Sequence, residues 1–323
     1  MLLPSRSGRE TCRTRSGGPV VTDSAVLVGT TLGRRFRLGP HLGSGGMGDV
    51  FRGTDDRLER PVALKVFSLA GAKPREIRRY ADEARTLASL SHPGLVALYD
   101  VGADTGPGDE PLGYLVMELV EGPTLRERIA EGPMDPVEVA DIGRQLADAL
   151  GHAHAAGVVH RDIKPANVLL SDETVLRGQS DAPTTTTKLA DFGIAHSPSS
   201  GSRSALHQTL PTEATLGTAS YLSPEQALGR PMDAASDVYS LGLVLLECLT
   251  GERAFPGGAL SSSLARLLAP PEIPAGLGRG WSTLLTAMTA EDPDERPGTA
   301  AVAARLRTLR RPPLWDRVAE RLD

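Results

Sequence analysis

The chain has 323 residues, a formal net charge of −5 and two cysteines, Cys12 and Cys248. Its length suffices for a bilobal unit with a substantial core, and its mild acidity excludes the basic surface that binds nucleic acid or anionic membranes. Two scattered cysteines exclude a disulfide framework and predict a cytoplasmic protein. The most apolar stretch, 238–249, is too short to span a bilayer, which needs roughly 20 apolar residues.

The first 30 residues differ in composition from the rest of the chain. Residues 1–30 are rich in Ser, Thr, Gly and Arg without an apolar period, which predicts a disordered N-terminal arm. Order should begin near Phe36. From residue 34 to about 118, short apolar runs separated by glycines predict a strand-rich unit.

A glycine-rich segment, LGSGGMGDV, lies between two strand-like runs of this unit. Glycine lets a backbone approach a triphosphate closely and present its N–H groups. A flexible hairpin turn is the plainer alternative. A dinucleotide-binding motif does not fit, because a helix should come after it and here a strand does. The residues predicted to face a nucleotide in this segment are Leu42, Gly43, Ser44, Gly45, Gly46, Met47, Gly48 and Val50.

One helix is predicted inside the strand-rich unit, over about Arg75–Leu90. Tyr80, Glu83 and Leu87 fall at helical spacing, so Glu83 shares the inward stripe. A helix glutamate is by default a solvated residue. Lys65 ends an apolar strand-like run upstream, and a lone lysine at such a place is usually a surface cation.

Residues 118–122 (ELVEG) indicate a connector to a helical second unit. Asp135, Pro136 and Glu138 suit the N-cap, N1 and N3 positions of a long helix. Gly157 should end that helix.

Further along, a mostly apolar helix is predicted over about 236–250 as the core of the second unit. The polar run 171–187, with four consecutive threonines, predicts a solvated insertion, and a similar glycine-rich expansion is predicted at 103–113.

The most informative motif is HRDIKPAN, residues 160–167. It places a carboxylate (Asp162), a cation (Lys164) and an amide (Asn167) on one short segment. These groups can accept a hydroxyl proton, neutralise a migrating phosphoryl group and hold a metal ion. Asp191, in the triplet DFG, adds a second potential metal-binding carboxylate.

Together, LGSGGMG, HRDIKPANVLL, LADFGIA and YLSPEQA resemble the eukaryotic-type (Hanks-type) bacterial serine/threonine protein kinases. The resemblance covers about residues 34–310 and is strongest to the kinase domain of the actinomycete PASTA-kinase group, without its membrane anchor or PASTA repeats. It implies an α+β, bilobal fold: a sheet-rich small lobe (34–118), a hinge (118–122) and a helical large lobe (123–310). A short C-terminal tail (311–323) would complete the chain.

The resemblance also implies roles for the site residues. Asp162 would orient and deprotonate the acceptor hydroxyl, Lys164 would steady the γ-phosphate, and Asn167 and Asp191 would bind Mg²⁺, for which Mn²⁺ could substitute. Lys65 would bind the α- and β-phosphates of ATP and form an ion pair with a helix carboxylate. Glu83 is our choice for that carboxylate; Glu76 and Asp82 are rivals outside the Tyr80–Leu87 stripe. The remaining predicted nucleotide contacts are Ala63, Met117, Glu118, Val120 and Leu169.

Other residues would support the site by the same resemblance. Glu225 should pair with Arg296, and Asp237 should anchor the catalytic loop. The segment 217–225 would help to seat a serine or threonine acceptor. The segment 255–274 is shorter than in close relatives of this family, so a docking helix there should be reduced.

Arg161, next to Asp162, predicts regulation by a phosphorylated activation loop, with Thr209, Thr212 and Thr215 as candidate sites. The plainer explanation is that loops are simply rich in Ser and Thr. The predicted function is a protein serine/threonine kinase that acts on protein substrates, with a homodimer as a candidate form for autophosphorylation in trans. The alternative is a pseudokinase-like signalling scaffold, although such chains usually lose Lys65, Asp162 or Asp191.

Overall fold

A computed structural model describes residues 24–45, 48–171, 185–192 and 219–309. Its strands are β1 (Thr31–Leu32), β2 (Phe36–Gly45), β3 (Gly48–Asp55), β4 (Arg60–Ser68), β5 (Leu98–Thr105), β6 (Pro111–Met117), β7 (Val168–Ser171) and β8 (Thr186–Leu189). Its helices are α1 (Ser24–Leu27), α2 (Pro74–Ala88), α3 (Leu125–Ala130), α4 (Pro136–Ala155), α5 (Pro224–Ala227), α6 (Ala234–Thr250), α7 (Ala259–Leu268), α8 (Gly278–Met288) and α9 (Thr299–Leu309). Single 3₁₀ turns occur at Pro165–Asn167, Ala275–Leu277 and Pro293–Glu295.

The small lobe is one antiparallel sheet in the order β1-β2-β3-β4-β6-β5, with α2 beside it. Alternate residues of its strands, such as Phe51, Val62 and Leu64, form a buried apolar cluster because successive side chains of a strand point to opposite faces. Strands β2 and β3 form a hairpin in which Gly45 lies opposite Gly48. The glycine-rich segment is therefore the tip of that hairpin.

Order begins earlier than the sequence predicts. Helix α1 and strand β1 precede Phe36, and the side chains of Leu27 and Leu32, 2% and 0% exposed, belong to the small-lobe core. The prediction of a disordered arm is therefore wrong for helix α1. Elements of four and two residues are too short to show an apolar period in the sequence. Residues 1–23 lie outside the described part of the chain.

The large lobe is built around α4 and α6. Helix α4 begins as predicted: Asp135 caps it by accepting hydrogen bonds from the backbone N–H groups of Val137 and Glu138. Helix α6 is buried along almost its whole length, which explains its apolar sequence. Helices α4, α6, α8 and α9 pack together around one apolar cluster. The prediction of an α+β, two-lobed fold is confirmed.

Two predicted irregular segments are more regular than expected, and a third segment contains a helix where a reduced docking helix is predicted. Ser171 pairs with Thr186 between β7 and β8, and Thr187 is fully buried, so the predicted insertion is at least three residues too long. Threonine is β-branched and suits a strand, which composition alone obscured. The 103–113 segment contributes to the β5–β6 hairpin, and the 255–274 segment contains the ten-residue helix α7. No helix among the described residues is long and apolar enough to cross a bilayer.

Candidate active site

The loop that precedes the Pro165–Asn167 turn gathers the three predicted catalytic groups. Lys164 Nζ lies 2.8 Å from Asp162 Oδ2. Asn167 Nδ2 donates to the same oxygen at 3.1 Å and to the backbone carbonyl of Asp162 at 2.8 Å. The short 3₁₀ turn brings Asn167 back to Asp162 although five positions separate them.

The two oxygens of the Asp162 carboxylate have different surroundings. Oδ2 accepts hydrogen bonds from Lys164 and Asn167, whereas Oδ1 is buried and has no hydrogen-bond partner among the described residues. A buried acceptor without a donor is uncommon in native proteins and points to a functional role. Oδ1 is therefore oriented to accept a hydrogen bond from a molecule that binds there.

Asp237, at the start of α6, holds the backbone of this loop through hydrogen bonds. Its two carboxylate oxygens each accept a hydrogen bond of 2.8 Å from a backbone N–H, one from His160 and one from Arg161. His154 Nε2 lies 2.8 Å from Oδ2 as well. These bonds hold Arg161 in the left-handed region (φ 70°), which a residue other than glycine rarely adopts. The predicted anchoring role of Asp237 is confirmed.

His160 is a packing residue, as predicted. Its ring is fully buried, lies 4.6 Å from the Phe192 ring centroid to centroid, and its Nε2 is 2.9 Å from the carbonyl oxygen of Ala190. Burial lowers the pKa of His160 below its ordinary value. A neutral His160 thus links the catalytic loop to the segment that carries Asp191.

Lys65 joins the two lobes. Its Nζ lies 2.9 Å from Oδ1 of Asp191, which itself adopts a left-handed conformation (φ 58°). Lys65 and Glu83 do not form an ion pair with each other within 4.0 Å. Glu83 instead lies 3.9 Å from Arg79, one turn away, and burial raises the pKa of Glu83. The expected Lys65–Glu83 pair is therefore not formed in this structure.

The rival carboxylates on α2 are engaged elsewhere. Glu76 accepts a hydrogen bond from the backbone N–H of Lys73 at the helix start, and Asp82 pairs with Arg85 on the exposed side. Glu83 is partly buried, whereas Asp82 is exposed, which agrees with the predicted stripe. The helical pattern could not predict which carboxylate pairs with Lys65. Asp191, which does so, lies 126 positions away in the sequence.

The predicted nucleotide-facing residues of the small lobe lie on β2, β3, β4 and β6. Val50 stands opposite Lys65, and Ala63 stands opposite Met117, in adjacent strand pairs. Gly48 has φ 137°, and a Cβ there would collide with the carbonyl oxygen of Val66, so only glycine fits. The remaining positions of the β2 hairpin arm are Leu42, Gly43, Ser44 and Gly45. Gly46 and Met47 lie outside the described residues.

The predicted hinge, 118–122, contacts segments of both lobes. The backbone N–H of Glu118 donates to the carbonyl of Ala97 at 2.9 Å, and its carboxylate lies 2.8 Å from Nζ of Lys188 on β8. Beyond it, Gly122 (φ 136°) lies so close to the carbonyl of Leu170 that a Cβ would collide with it. Leu169 pairs with Thr124, just beyond the hinge, and Val120 is half-buried.

The residues predicted to bind metal offer oxygen atoms of the kind Mg²⁺ prefers. Among the described residues, the hydrogen bonds of the Asn167 side chain use Nδ2, which leaves its carbonyl oxygen for a cation, and only Lys65 forms an ion pair with the Asp191 carboxylate. No cluster of three or more His, Cys, Asp or Glu residues suited to a metal occurs in the described ranges. An amide and one carboxylate fit a metal whose other ligands come from phosphate and water.

Comparison with known proteins agrees with this geometry. The family model described as the protein kinase domain matches residues 36–305. The chain belongs to the protein kinase family. It is 41% identical over 278 residues to serine/threonine-protein kinase PknB of Mycobacterium tuberculosis, covering 84% of this chain and 42% of that protein. It is 39% identical over 295 residues to serine/threonine-protein kinase PknA of the same species, covering 88% of this chain and 64% of that protein. The kinase domain thus spans less than two thirds of either relative.

The kinase domain also contains the predicted buried ion pair. Both oxygens of Glu225 accept hydrogen bonds from Arg296, at 2.7 and 3.0 Å, and Ser236 donates to the same carboxylate at 2.6 Å. Burial alone would raise the pKa of Glu225, but the bonds from Arg296 and Ser236 lower it to about 2. The pair is confirmed as a structural element that joins α5 and α6 to the turn before α9.

Two supporting residues were missed from the sequence. Gln226 Nε2 donates to the carbonyl of Arg161 at 2.9 Å, and Gln226 forms a capping box with Ser223. The spacing Ser-Pro-Glu-Gln carried that signal. Arg266, on α7, donates to the carbonyls of Ala219 and Leu222, and nothing in its local sequence marked it. Thr209, Thr212 and Thr215 lie outside the described residues.

Proposed function

We propose that this kinase domain transfers the γ-phosphoryl group of MgATP to serine or threonine hydroxyls of proteins. The observation that carries the proposal is the buried Oδ1 of Asp162, unpartnered within the described residues, beside the Lys164 ammonium and the Asn167 amide. A hydroxyl that donates to Oδ1 would have its oxygen oriented for attack. Lys164, which bonds the other oxygen, stands where negative charge would develop.

The transfer forms one phosphorus–oxygen bond and breaks another. The acceptor oxygen bonds to the γ-phosphorus while the bond from that phosphorus to the bridging β-oxygen breaks, and the hydroxyl proton passes to Asp162 Oδ1. ADP retains the electron pair of the broken bond. Positioning and charge neutralisation supply most of the acceleration, since the protein forms no covalent bond to the phosphoryl group.

The nucleotide would lie against the β2–β3 hairpin and the hinge. Lys65 would exchange Asp191 for the α- and β-phosphates, which frees the Asp191 carboxylate. Asn167 and Asp191 would then hold Mg²⁺, which neutralises phosphate charge when bound. A cytoplasmic location is supported by the availability of MgATP in the cytoplasm and by the small number of cysteines, which suits a reducing compartment.

Phosphorylation of the activation loop is the regulation that we propose. Arg161 Nε is buried and has no hydrogen-bond partner within the described ranges, so the guanidinium retains a donor for a phosphate on Thr209, Thr212 or Thr215. Autophosphorylation in trans would require a transient homodimer. No observation favours the scaffold alternative. Lys65, Asp162 and Asp191 are all present, Lys65 pairs with Asp191, and Lys164 pairs with Asp162.

The test is intact-mass analysis of phosphatase-treated protein after incubation with MgATP, beside the Asp162→Asn variant. We expect mass to be added in steps of one phosphate in the wild type and not in the variant. Equal phosphate in both proteins would refute the role of Asp162. No phosphate on the wild type or on an added protein acceptor would favour the scaffold.

A further inference from the structure

Helix α7 (Ala259–Leu268) inverts the usual amphipathic pattern. Its two buried side chains are polar, with Ser262 and Arg266 only 0% and 3% exposed, while Leu260, Leu264 and Leu268 face solvent. A helix normally buries its leucine stripe and exposes its cation, because an unpaired charge loses its hydration on burial. The interior position of Arg266 must therefore be explained by the bonds that it makes.

Those bonds are made mainly to backbone carbonyls, with the Tyr239 side chain as a further partner. Nη1 of Arg266 donates to Leu222, Nη2 donates to Ala219, and Nε donates to Ser262 at 3.2 Å. The guanidinium also lies 4.8 Å from the centre of the Phe255 ring. No carboxylate of the described residues forms an ion pair with Arg266. The planar, forked guanidinium can hold two carbonyls at once, which a lysine ammonium does less well.

The carbonyls that Arg266 holds belong to the segment 219–222, which is also tied to the catalytic loop. The carbonyl of Tyr221 accepts a hydrogen bond of 2.7 Å from Ser240. One residue further, Ser223 caps α5, whose Gln226 donates to the carbonyl of Arg161 at 2.9 Å. Arg161 immediately precedes Asp162. Gln226 thus connects the helix that follows the 219–222 segment to the backbone next to Asp162, and Arg266 holds the segment itself through the carbonyls of Ala219 and Leu222.

We propose that Arg266 is a positioning residue for the protein acceptor. It fixes the backbone of the 219–222 segment at a set distance from Asp162, and this segment supports the acceptor chain next to the phosphorylated hydroxyl. The inference rests on the proposed function. It predicts that loss of Arg266 weakens binding of the protein acceptor. Binding of the nucleotide, which would contact the other lobe and the hinge, should not change.

The experiment compares Arg266→Met, which keeps the aliphatic stem, with Arg279→Met, which removes an exposed arginine of α8 in the same lobe. Steady-state kinetics would use myelin basic protein as the acceptor and MgATP as the donor, and ADP release without acceptor would be measured in parallel. For Arg266→Met we expect the KM for the acceptor to rise about tenfold. The KM for ATP and the acceptor-free ADP release should stay within about twofold of wild type, and Arg279→Met should match wild type throughout.

An acceptor KM that stays within about twofold of wild type in Arg266→Met, or an ATP KM that rises in parallel with it, would overturn the inference. If Arg266→Met does not fold, Arg266→Lys decides: it keeps the charge but not the fork, and an unchanged acceptor KM would again overturn it. A wild type that transfers no phosphate to any acceptor refutes the proposed function itself, which is a different result.

Discussion

In the large lobe, Asp162 lies on a loop whose backbone is fixed by a buried carboxylate. In the small lobe, by contrast, the only ion-pair partner of Lys65 within the described ranges is the partly exposed Asp191. The first arrangement forms within one lobe from several hydrogen bonds. The second spans the two lobes and depends on one ion pair. The comparison indicates that the group that meets the acceptor is preorganised, while the group that meets the nucleotide must change partners.

Removal of the Lys65 charge should have the largest effect. In Lys65→Met, the nucleotide phosphates lose their cation from β4, and we expect kcat/KM for MgATP to fall by about 10²- to 10³-fold. Glu83→Gln, which removes no charge from the Lys65–Asp191 pair, should cost no more than about tenfold. Steady-state kinetics of both variants measure the difference. Equal losses would show that the reaction depends on Glu83 as strongly as on Lys65 itself, which would contradict the assignment of Asp191 as the partner of Lys65.

Asp237→Asn tests the fixed side of the comparison. An amide offers one acceptor oxygen where the carboxylate offers two, so a backbone N–H of His160 or Arg161 loses its partner. We expect a loss of about 2 to 4 kcal/mol in the free energy of unfolding and a lower kcat. Urea denaturation measures the first quantity. The control is Asp233→Asn at the N-cap of the same helix, which should be nearly neutral because Asn caps as well as Asp.

Glu225→Gln should destabilise the large lobe in a pH-dependent way. The pKa of Glu225 is lowered to about 2, so its ion pair with Arg296 contributes stability above the ordinary glutamate pKa and loses it as the pH falls toward 2. We expect the wild type to exceed the variant by about 3 kcal/mol at pH 7. The difference should shrink below about pH 4.5. A difference that does not change between pH 7 and pH 3 would contradict this account.

The smallest effect is expected at the hinge. Glu118→Gln replaces the carboxylate that pairs with Lys188, and because both groups are partly exposed, the loss should be at most about 1 kcal/mol. A double-mutant cycle with Lys188→Met isolates the pair. A coupling well above that value would show that the hinge, and not only Asp237, determines the position of the large-lobe site.

Local patterns predicted much of the fold. The start of α4 is set by Asp135, Pro136 and Glu138, which lie within a few positions of one another, so it could be predicted. Segments whose structure depends on distant partners could not. Thr187 is a buried strand residue only because β7 pairs with it, and Leu32 is ordered only because the sheet core covers it.

The site divides in the same way. Asp162, Lys164 and Asn167 fall within six residues, so their proximity comes from the motif itself. The partner of Lys65 depends on how α2 and the DFG segment approach β4, and on the competition between two carboxylates, which no local pattern contains. Arg266 was missed for a related reason: it lies on a leucine-bearing helix whose inward face is the polar one.

A crystal structure of the kinase domain with Mg²⁺ and a non-hydrolysable ATP analogue tests the central comparison most directly. We predict that Lys65 Nζ leaves Asp191 Oδ1, now 2.9 Å away, for a phosphate oxygen. The bonds from His160 and Arg161 to Asp237 should remain at 2.8 Å. A Lys65–Asp191 pair that persists beside the bound nucleotide, or a catalytic loop that detaches from Asp237, would contradict this prediction.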